Sequence, residues 1–137
     1  MAIYFEDRFA PSGFYVPGQN FDASFLAGAK LQKLGTNWKR GAVVVTDKAK
    51  LLFNGPSDPE SLWKDARFVD CRGVKVGKAK VMRYRPIFLE WATEVQVAVD
   101  TDVLDVREVQ KAIENSGKLI GVCEYRPRFG RFEVAYV

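Results

Sequence analysis

Histidine is absent from this chain of 137 residues. Imidazole is the commonest general base of enzymes, a member of the usual serine and cysteine triads and a frequent zinc ligand. The sequence also lacks a glycine-rich phosphate loop and the glycine fingerprint of dinucleotide-binding proteins. We therefore predict a protein that is not an enzyme and that uses neither a cofactor nor a metal ion.

Acidic residues near position 100 are the best candidates for a cation site. Asp100, Asp102 and Asp105 offer carboxylate oxygens, which hard divalent cations prefer. Acids at the end of a strand and the start of a helix are more often turn formers and helix caps. We predict that structural role for all three.

Cysteine and long apolar runs are also scarce. Cys71 and Cys123 lie far apart and outside any zinc-binding spacing, which predicts reduced, buried thiols rather than a disulfide framework. No apolar run approaches the roughly 20 residues of a membrane span, and the first residues lack the pattern of a secretory signal. We predict no membrane association and a cytoplasmic location.

The composition is that of one folded domain covering residues 1–137. Its 47% hydrophobic and 28% charged residues are ordinary, and its net charge of +4 favours anionic partners. Residues 1–20 mix aromatic side chains with proline and glycine and follow no regular period. They predict an irregular arm that packs along its own domain or on a second subunit, because exposed aromatic clusters are uncommon on solitary proteins.

The second half of the chain has the clearest secondary-structure patterns. Apolar residues alternate with polar or small ones from 88 to 99, which predicts a long strand with Leu89, Trp91 and Val97 on its inner face. Asp105 as an N-cap and Gly117 after the last turn bound a predicted helix. Predicted strands follow at 119–123 and 131–137, joined by a turn at 126–130.

The first half is less regular. Residues 21–34 fit a helix or a strand, 35–41 a polar loop, and 42–45 and 51–53 two strands about a turn. Asp58 and Pro59 predict the start of a short helix, and further strands are predicted at 67–75 and 79–85. The predicted class is α+β: an antiparallel sheet of five or six strands with one or two helices on one face, in a ferredoxin-like or split β-α-β arrangement in the C-terminal half.

A tyrosine-arginine-proline phrase occurs twice, at 84–86 and 125–127. Arginine presents a fork of donors to phosphate, and aromatic rings present faces on which bases stack. The predicted nucleic-acid-binding residues are Trp38, Lys39, Arg40, Arg83, Arg85, Arg126, Arg128, Phe129 and Arg131. The structural alternative is that the rings are core residues and the arginines pair across strands with Glu90, Glu124 or Glu133.

Three segments resemble a family of small hypothetical proteins encoded by tailed bacteriophages and prophages. They are 34–41 (LGTNWKRG), 83–91 (RYRPIFLEW) and 121–132 (GVCEYRPRFGRF), and the resemblance extends over about residues 31–137. It implies a phage origin and action in the cytoplasm of a bacterial host or in a virion. It implies no activity and no catalytic residue.

Two functions fit these observations. The first is a phage nucleic-acid-binding accessory protein that holds single-stranded nucleic acid on an arginine-rich and aromatic surface. The alternative is a protein–protein module. It would be an inhibitor of a host enzyme or defence complex, such as an anti-CRISPR-like protein, or a virion component that forms a homo-oligomer through its N-terminal arm.

Overall fold

The computed structural model of the chain describes residues 4–5, 13–123 and 130–137. Its contacts divide the chain into two compact units. The hairpin unit contains Lys50–Thr93 with residues 4–5 and 13–16, and the helical unit contains Pro17–Ala49, 94–123 and 130–137. The single domain over residues 1–137 stays a prediction.

Helices alternate with short antiparallel strands along the described chain, and the predicted α+β class is confirmed. In chain order the elements are β1 (Tyr4–Phe5), β2 (Phe14–Pro17), α1 (Gly18–Lys30), α2 (Gly35–Gly41), β3 (Ala42–Val44), β4 (Lys48–Lys50), α3 (Pro59–Lys64), β5 (Val69–Val76), β6 (Ala79–Pro86), β7 (Val97–Val99) and α4 (Val106–Asn115). No helix within residues 4–5, 13–123 and 130–137 has the length and apolarity needed to cross a membrane.

The helical unit is organised around α1 and α4. Gly28 lets the two helices approach closely, since a Cβ there would collide with the carbonyl oxygen of Ala112 and lie 3.0 Å from the Cβ of Ser116. Phe25 of α1 packs edge-on against Trp38 of α2, with ring centroids 6.2 Å apart. Small residues at the crossing and large rings beside it fill this core.

Helix α4 begins where the sequence predicts. The carboxylate of Asp105 accepts a hydrogen bond from the backbone N–H of Arg107 at 3.2 Å, which satisfies one of the free donors of the first turn. Val109, Ala112 and Ile113 form its buried side. A π-helical turn continues the helix from Ser116 to Ile120.

An antiparallel pair of strands completes the helical unit. Strand β3 pairs with β7, with Ala42 opposite Val99 and Val44 opposite Val97. Residues 45–96 therefore leave and return at neighbouring strand ends.

The hairpin unit has a core of four phenylalanines. Phe53 lies at its centre, with ring centroids 4.7 Å from Phe88, 5.4 Å from Phe68 and 5.9 Å from Phe14. The backbone N–H of Leu51 donates to the carbonyl of Phe14 at 2.9 Å, and an isolated bridge joins Leu52 to Ala92. Edge-on and tilted ring contacts of this kind add to the apolar burial.

Helix α3 precedes the hairpin strands and confirms a second predicted cap. Asp58 accepts a hydrogen bond from the backbone N–H of Ser61 at 2.9 Å, and Pro59 occupies the first helical position. Proline suits that position because its missing N–H would have no partner there.

The predicted long strand at 88–99 is wrong except at its end. Only Val97–Val99 forms a strand, while residues 89–96 are irregular apart from the bridge at Ala92. Phe88 is 6% exposed and Leu89 is 81% exposed, the reverse of the predicted alternation. The chain passes from one unit to the other between residues 93 and 94, so these residues do not share a single sheet face.

The predicted strands at 119–123 and 131–137 are also wrong. Residues 116–120 form the π turn, and the backbone N–H of Phe132 donates to the carbonyl of Gly117 at 3.0 Å. The hydroxyl of Tyr136 donates to the carboxylate of Glu114 at 2.9 Å, so the last residues lie along α4. Without a strand after α4 in the described residues, the ferredoxin-like or split β-α-β arrangement is not formed there, and the single large sheet is replaced by small ones.

Four segments of the first half differ from prediction or decide between its alternatives. Residues 14–17 of the predicted irregular arm form β2. The strands predicted at 42–45 and 51–53 do not pair about a turn, because β3 pairs with β7 and β4 occupies residues 48–50. Residues 18–30 form one helix, which resolves the choice between helix and strand. Residues 35–41, predicted as a loop, form α2. A turn of residues 31–33, with Lys33 at a positive φ of 60°, separates the two helices.

Candidate nucleic-acid interface

The hairpin formed by β5 and β6 is the most strongly charged element of the described chain. Its strands pair antiparallel over eight residue pairs, from Val69 opposite Pro86 to Val76 opposite Ala79. Gly77 and Lys78 form the turn, and Gly77 has a φ of 62°, a left-handed conformation that glycine adopts readily. We refer to residues 69–86 as the basic hairpin.

The basic hairpin carries more positive charge than the whole protein. One acidic residue, Asp70, accompanies six basic ones: Arg72, Lys75, Lys78, Lys80, Arg83 and Arg85. This gives the 18 residues a net charge of +5, whereas the chain has a net charge of +4. The other 119 residues together carry a net charge of −1, so the basic character of the protein is concentrated here.

The register divides the side chains between two faces, because residues directly opposite each other in an antiparallel pair share a face. On the arginine face, Arg72 lies opposite Arg83, and Asp70 lies opposite Arg85. The guanidinium of Arg72 donates from Nε to Asp70 at 2.7 Å. One carboxylate thus stands among three guanidinium groups.

The lysine face carries Lys75 opposite Lys80, and Cys71 opposite Tyr84. Gly73 leaves room for Lys80, whose Cε lies 2.8 Å from the position that a Cβ of residue 73 would take. Tyr84 is 63% exposed. Hydrogen bonding to Cys71 raises the pKa of the Tyr84 hydroxyl.

Both faces place charges of the same sign directly opposite each other. Arg72 faces Arg83, and Lys75 faces Lys80. Such pairs destabilise a sheet, whereas a pair of opposite charges would stabilise it. On the arginine face the ion pair between Arg72 and Asp70 offsets part of this repulsion, and a bound polyanion would offset the repulsion on both faces.

A structural explanation of these charges must be weighed too. Charged side chains on the edges of a small sheet prevent edge-to-edge pairing with other molecules. Charges of alternating sign would give that protection without repulsion across the strands. Protection of edges accounts for the presence of charge but not for the excess of six basic residues over one acidic residue.

The predicted site residues fall into three groups. Arg83 and Arg85 lie in the basic hairpin, where Arg83 is exposed and Arg85 half-buried. The helical unit contains three further exposed residues, which are Lys39, Arg40 and Arg131. Arg126, Arg128 and Phe129 lie outside the described residues, as does the second tyrosine-arginine-proline phrase.

The prediction that Trp38 stacks on bases is wrong. Its ring is 2% exposed and contacts Phe25 in the core of the helical unit. The reason is that residues 35–41 form a helix, which turns Trp38 inward and leaves Lys39 and Arg40 outward. Its indole N–H has no hydrogen-bond partner among the described residues.

The sequence analysis did not assign four basic residues of the hairpin to the nucleic-acid-binding site: Arg72, Lys75, Lys78 and Lys80. A signal for them exists, because valine, lysine and arginine are spaced on both sides of a central Gly77. That pattern is typical of a hairpin with basic side chains. The proposed strands at 67–75 and 79–85 agree with β5 and β6 in position, but their pairing was not predicted.

Asp100 and Asp105, two of the three acidic residues near position 100, have the structural role predicted for them. Asp100 accepts a hydrogen bond from the backbone N–H of Asp102 at 3.0 Å, and Asp105 caps α4. The described residues contain no group of three or more cysteine, aspartate and glutamate side chains able to hold a metal ion. The thiol prediction needs correction: Cys71 is exposed and Cys123 half-buried.

Comparisons with protein-family models, with curated proteins and with solved structures give no match. The choice of the basic hairpin as the candidate interface therefore depends on its net charge, its strand register and the exposure of its side chains.

Proposed function

We propose that this protein binds nucleic acid through the basic hairpin. The observation that carries the proposal is a net charge of +5 on 18 residues, with same-sign pairs on both faces. Nucleic-acid backbones present a regular series of phosphates, and basic side chains that neutralise them release bound counterions. Arginine adds bidentate hydrogen bonds to phosphate oxygens.

An extended polyanion fits the hairpin better than a small anion does. A small anion needs donors that converge on one point, as at a phosphate-binding loop. Here the basic side chains extend along strands of eight residues, roughly 26 Å in length. They also belong to opposite faces and to the turn, so many separate phosphates are needed to meet them.

Further contacts stay predictions. Lys39, Arg40 and Arg131 are exposed and therefore available to phosphate. Arg126, Arg128 and Phe129 are proposed as contacts on the sequence alone. We propose the cytoplasm of a bacterial host as the location, on the resemblance of the tyrosine-arginine-proline motifs to phage proteins alone.

The test is electrophoretic mobility of short nucleic acids with the wild-type protein and with Arg83→Gln and Arg85→Gln variants over a salt series. Each lost phosphate contact should lower the log–log salt slope by about 0.9 while the melting temperature stays nearly unchanged. The matched control neutralises two exposed residues of α4, Arg107→Gln with Lys111→Gln. Absence of binding at low salt, or an equal loss in the control, would overturn the proposal.

A protein partner is the second candidate. Two exposed apolar side chains lie on the arginine face near the end of the hairpin, Val76 (49%) and Val81 (41%), and Met82 (55%) lies on the lysine face. Exposed apolar patches with a polar rim are typical of protein-binding surfaces. Retention of a host protein by the wild type but not by a Val81→Lys variant, without any nucleic-acid binding, would favour this candidate.

A further inference from the structure

The distribution of charge over the two faces of the basic hairpin indicates which kind of nucleic acid it binds. This inference rests on the proposed function. We infer that the hairpin enters the major groove of B-form DNA with its turn first. The arginine face would meet one phosphate backbone and the lysine face the other. Single-stranded nucleic acid and duplex RNA would bind more weakly.

The first step is the placement of charge. Arg72 and Arg83 lie on one face, and Lys75 and Lys80 lie on the other. A ligand that touches one face leaves the charges of the other face without phosphate. Only a ligand with phosphates on both sides of the ribbon meets both pairs, and a duplex groove has such walls.

The second step is size. Neighbouring strands lie about 4.8 Å apart, and the major groove of B-form DNA is about 12 Å wide and 8.5 Å deep, which admits a two-stranded ribbon. The like-charged pairs are three residues apart along β5, roughly 10 Å, which exceeds the depth of the groove. With the turn at the groove floor, Lys75 and Lys80 lie at the groove mouth, and Arg72 and Arg83 reach phosphate only where the ribbon lies obliquely along the groove. Long lysine and arginine side chains span the remaining distance to the groove walls.

The third step is the turn itself. A side chain built at Gly77 would meet open space, since no described atom lies within 4 Å of it. Val76 and Ala79 flank the turn and are exposed. Small and branched apolar side chains are suited to the groove floor, where they contact the methyl group of thymine.

A single-stranded ligand fits the hairpin less well. Sheet-based modules hold single strands on one face, with several aromatic rings on which bases stack. Tyr84 is the only aromatic ring of the basic hairpin, and Trp38 is buried in the helical unit. Duplex RNA is disfavoured because its major groove is too deep and narrow to admit side chains.

The experiment compares four probes of one sequence and length: duplex DNA, each of its two strands alone, and duplex RNA. The proteins are the wild type, an arginine-face variant (Arg72→Gln with Arg83→Gln), a lysine-face variant (Lys75→Gln with Lys80→Gln) and the α4 control described above. Duplex DNA should bind about tenfold more tightly than the other probes. The lysine-face variant should lower the salt slope for duplex DNA by about 1.8, corresponding to two phosphate contacts. The arginine-face variant should lower it by about 0.9 to 1.8, because Arg72 is also paired with Asp70.

The outcomes separate the inference from the proposed function. Binding that needs the hairpin but prefers a single strand or duplex RNA, or that responds to one face only, overturns the groove inference and keeps nucleic-acid binding. Binding that neither face variant changes, or no binding at low salt, overturns both. Circular dichroism and thermal melting of each variant establish that the fold is retained.

Discussion

Reversing the charge of Lys75 separates the stability of the basic hairpin from its binding. Lys75 lies directly opposite Lys80, and both are exposed. Lys75→Glu replaces a repulsive cross-strand pair with an attractive one. Because an exposed cross-strand pair contributes roughly 0.2 to 1 kcal/mol, we expect the variant to stabilise the hairpin by about 0.5 to 1 kcal/mol.

Amide hydrogen exchange measures this effect locally. A gain of about 0.5 to 1 kcal/mol corresponds to roughly twofold to fivefold slower exchange in β5 and β6, since each 1.4 kcal/mol is tenfold. The gain should shrink at high salt, which screens exposed charges. Lys75→Gln removes the repulsion without adding attraction and should fall between the two.

Binding should change in the opposite direction. Lys75→Glu removes one phosphate contact and introduces a charge that phosphate repels, so affinity for duplex DNA should fall by about tenfold or more at low salt. Faster exchange in the variant would show that Lys75 and Lys80 do not face each other. Unchanged affinity would show that the lysine face lies outside the interface.

Three further predictions concern the helical unit. Gly28→Val should cost about 1 to 3 kcal/mol in urea unfolding by overpacking against Ala112, whereas a Lys30→Ala control should change little. Tyr136→Phe should cost about 0.5 to 1 kcal/mol at neutral pH through the lost hydrogen bond to Glu114. Burial and that hydrogen bond raise the pKa of Tyr136 to about 12. The stabilisation that Tyr136 contributes is therefore complete below the unfolded pKa of about 10 and is lost as the pH rises toward 12. The free energy of unfolding of the Tyr136→Phe variant should lack this decrease at alkaline pH. Asp105→Ala should cost about 1 kcal/mol by removing the cap of α4, and Asp105→Asn should restore most of it in the same assay.

Local signals predicted helices α3 and α4, because capping depends on residues within one helical turn. Asp58 and Asp105 each accept a hydrogen bond from a backbone N–H of the first helical turn, and Pro59 removes an N–H that would have no partner. Both partners of each bond are close in sequence, so the sequence alone indicates the cap. The alternation at 88–99 did not predict its structure, because a strand needs a partner that the pattern does not specify. The alternation predicted that Leu89 would face inward. Phe88 does so instead, because the Phe88 ring packs in the phenylalanine core around Phe53.

The candidate interface was predicted only in part, because part of it depends on the pairing of two strands. Arg83 and Arg85 stand in a basic and aromatic phrase that is visible in the sequence. Their partners Arg72 and Asp70 become visible only when the turn at Gly77 sets the register. Trp38 was misassigned because the sequence of a short segment between two glycines does not show whether its aromatic ring faces solvent or the core.

The pairing of β3 with β7 has a consequence for the order of folding. Bringing Val44 beside Val97 closes a loop made of residues 45–96, whose entropic cost grows with the logarithm of its length and is on the order of 3 to 4 kcal/mol. The β5–β6 turn closes over two residues and should form within microseconds. We therefore expect pulse-labelling hydrogen exchange to detect protection in the basic hairpin before β3 and β7, and the reverse order would contradict this. Substitutions in β7 should then mainly speed unfolding, because contacts that form after the transition state leave the folding rate nearly unchanged.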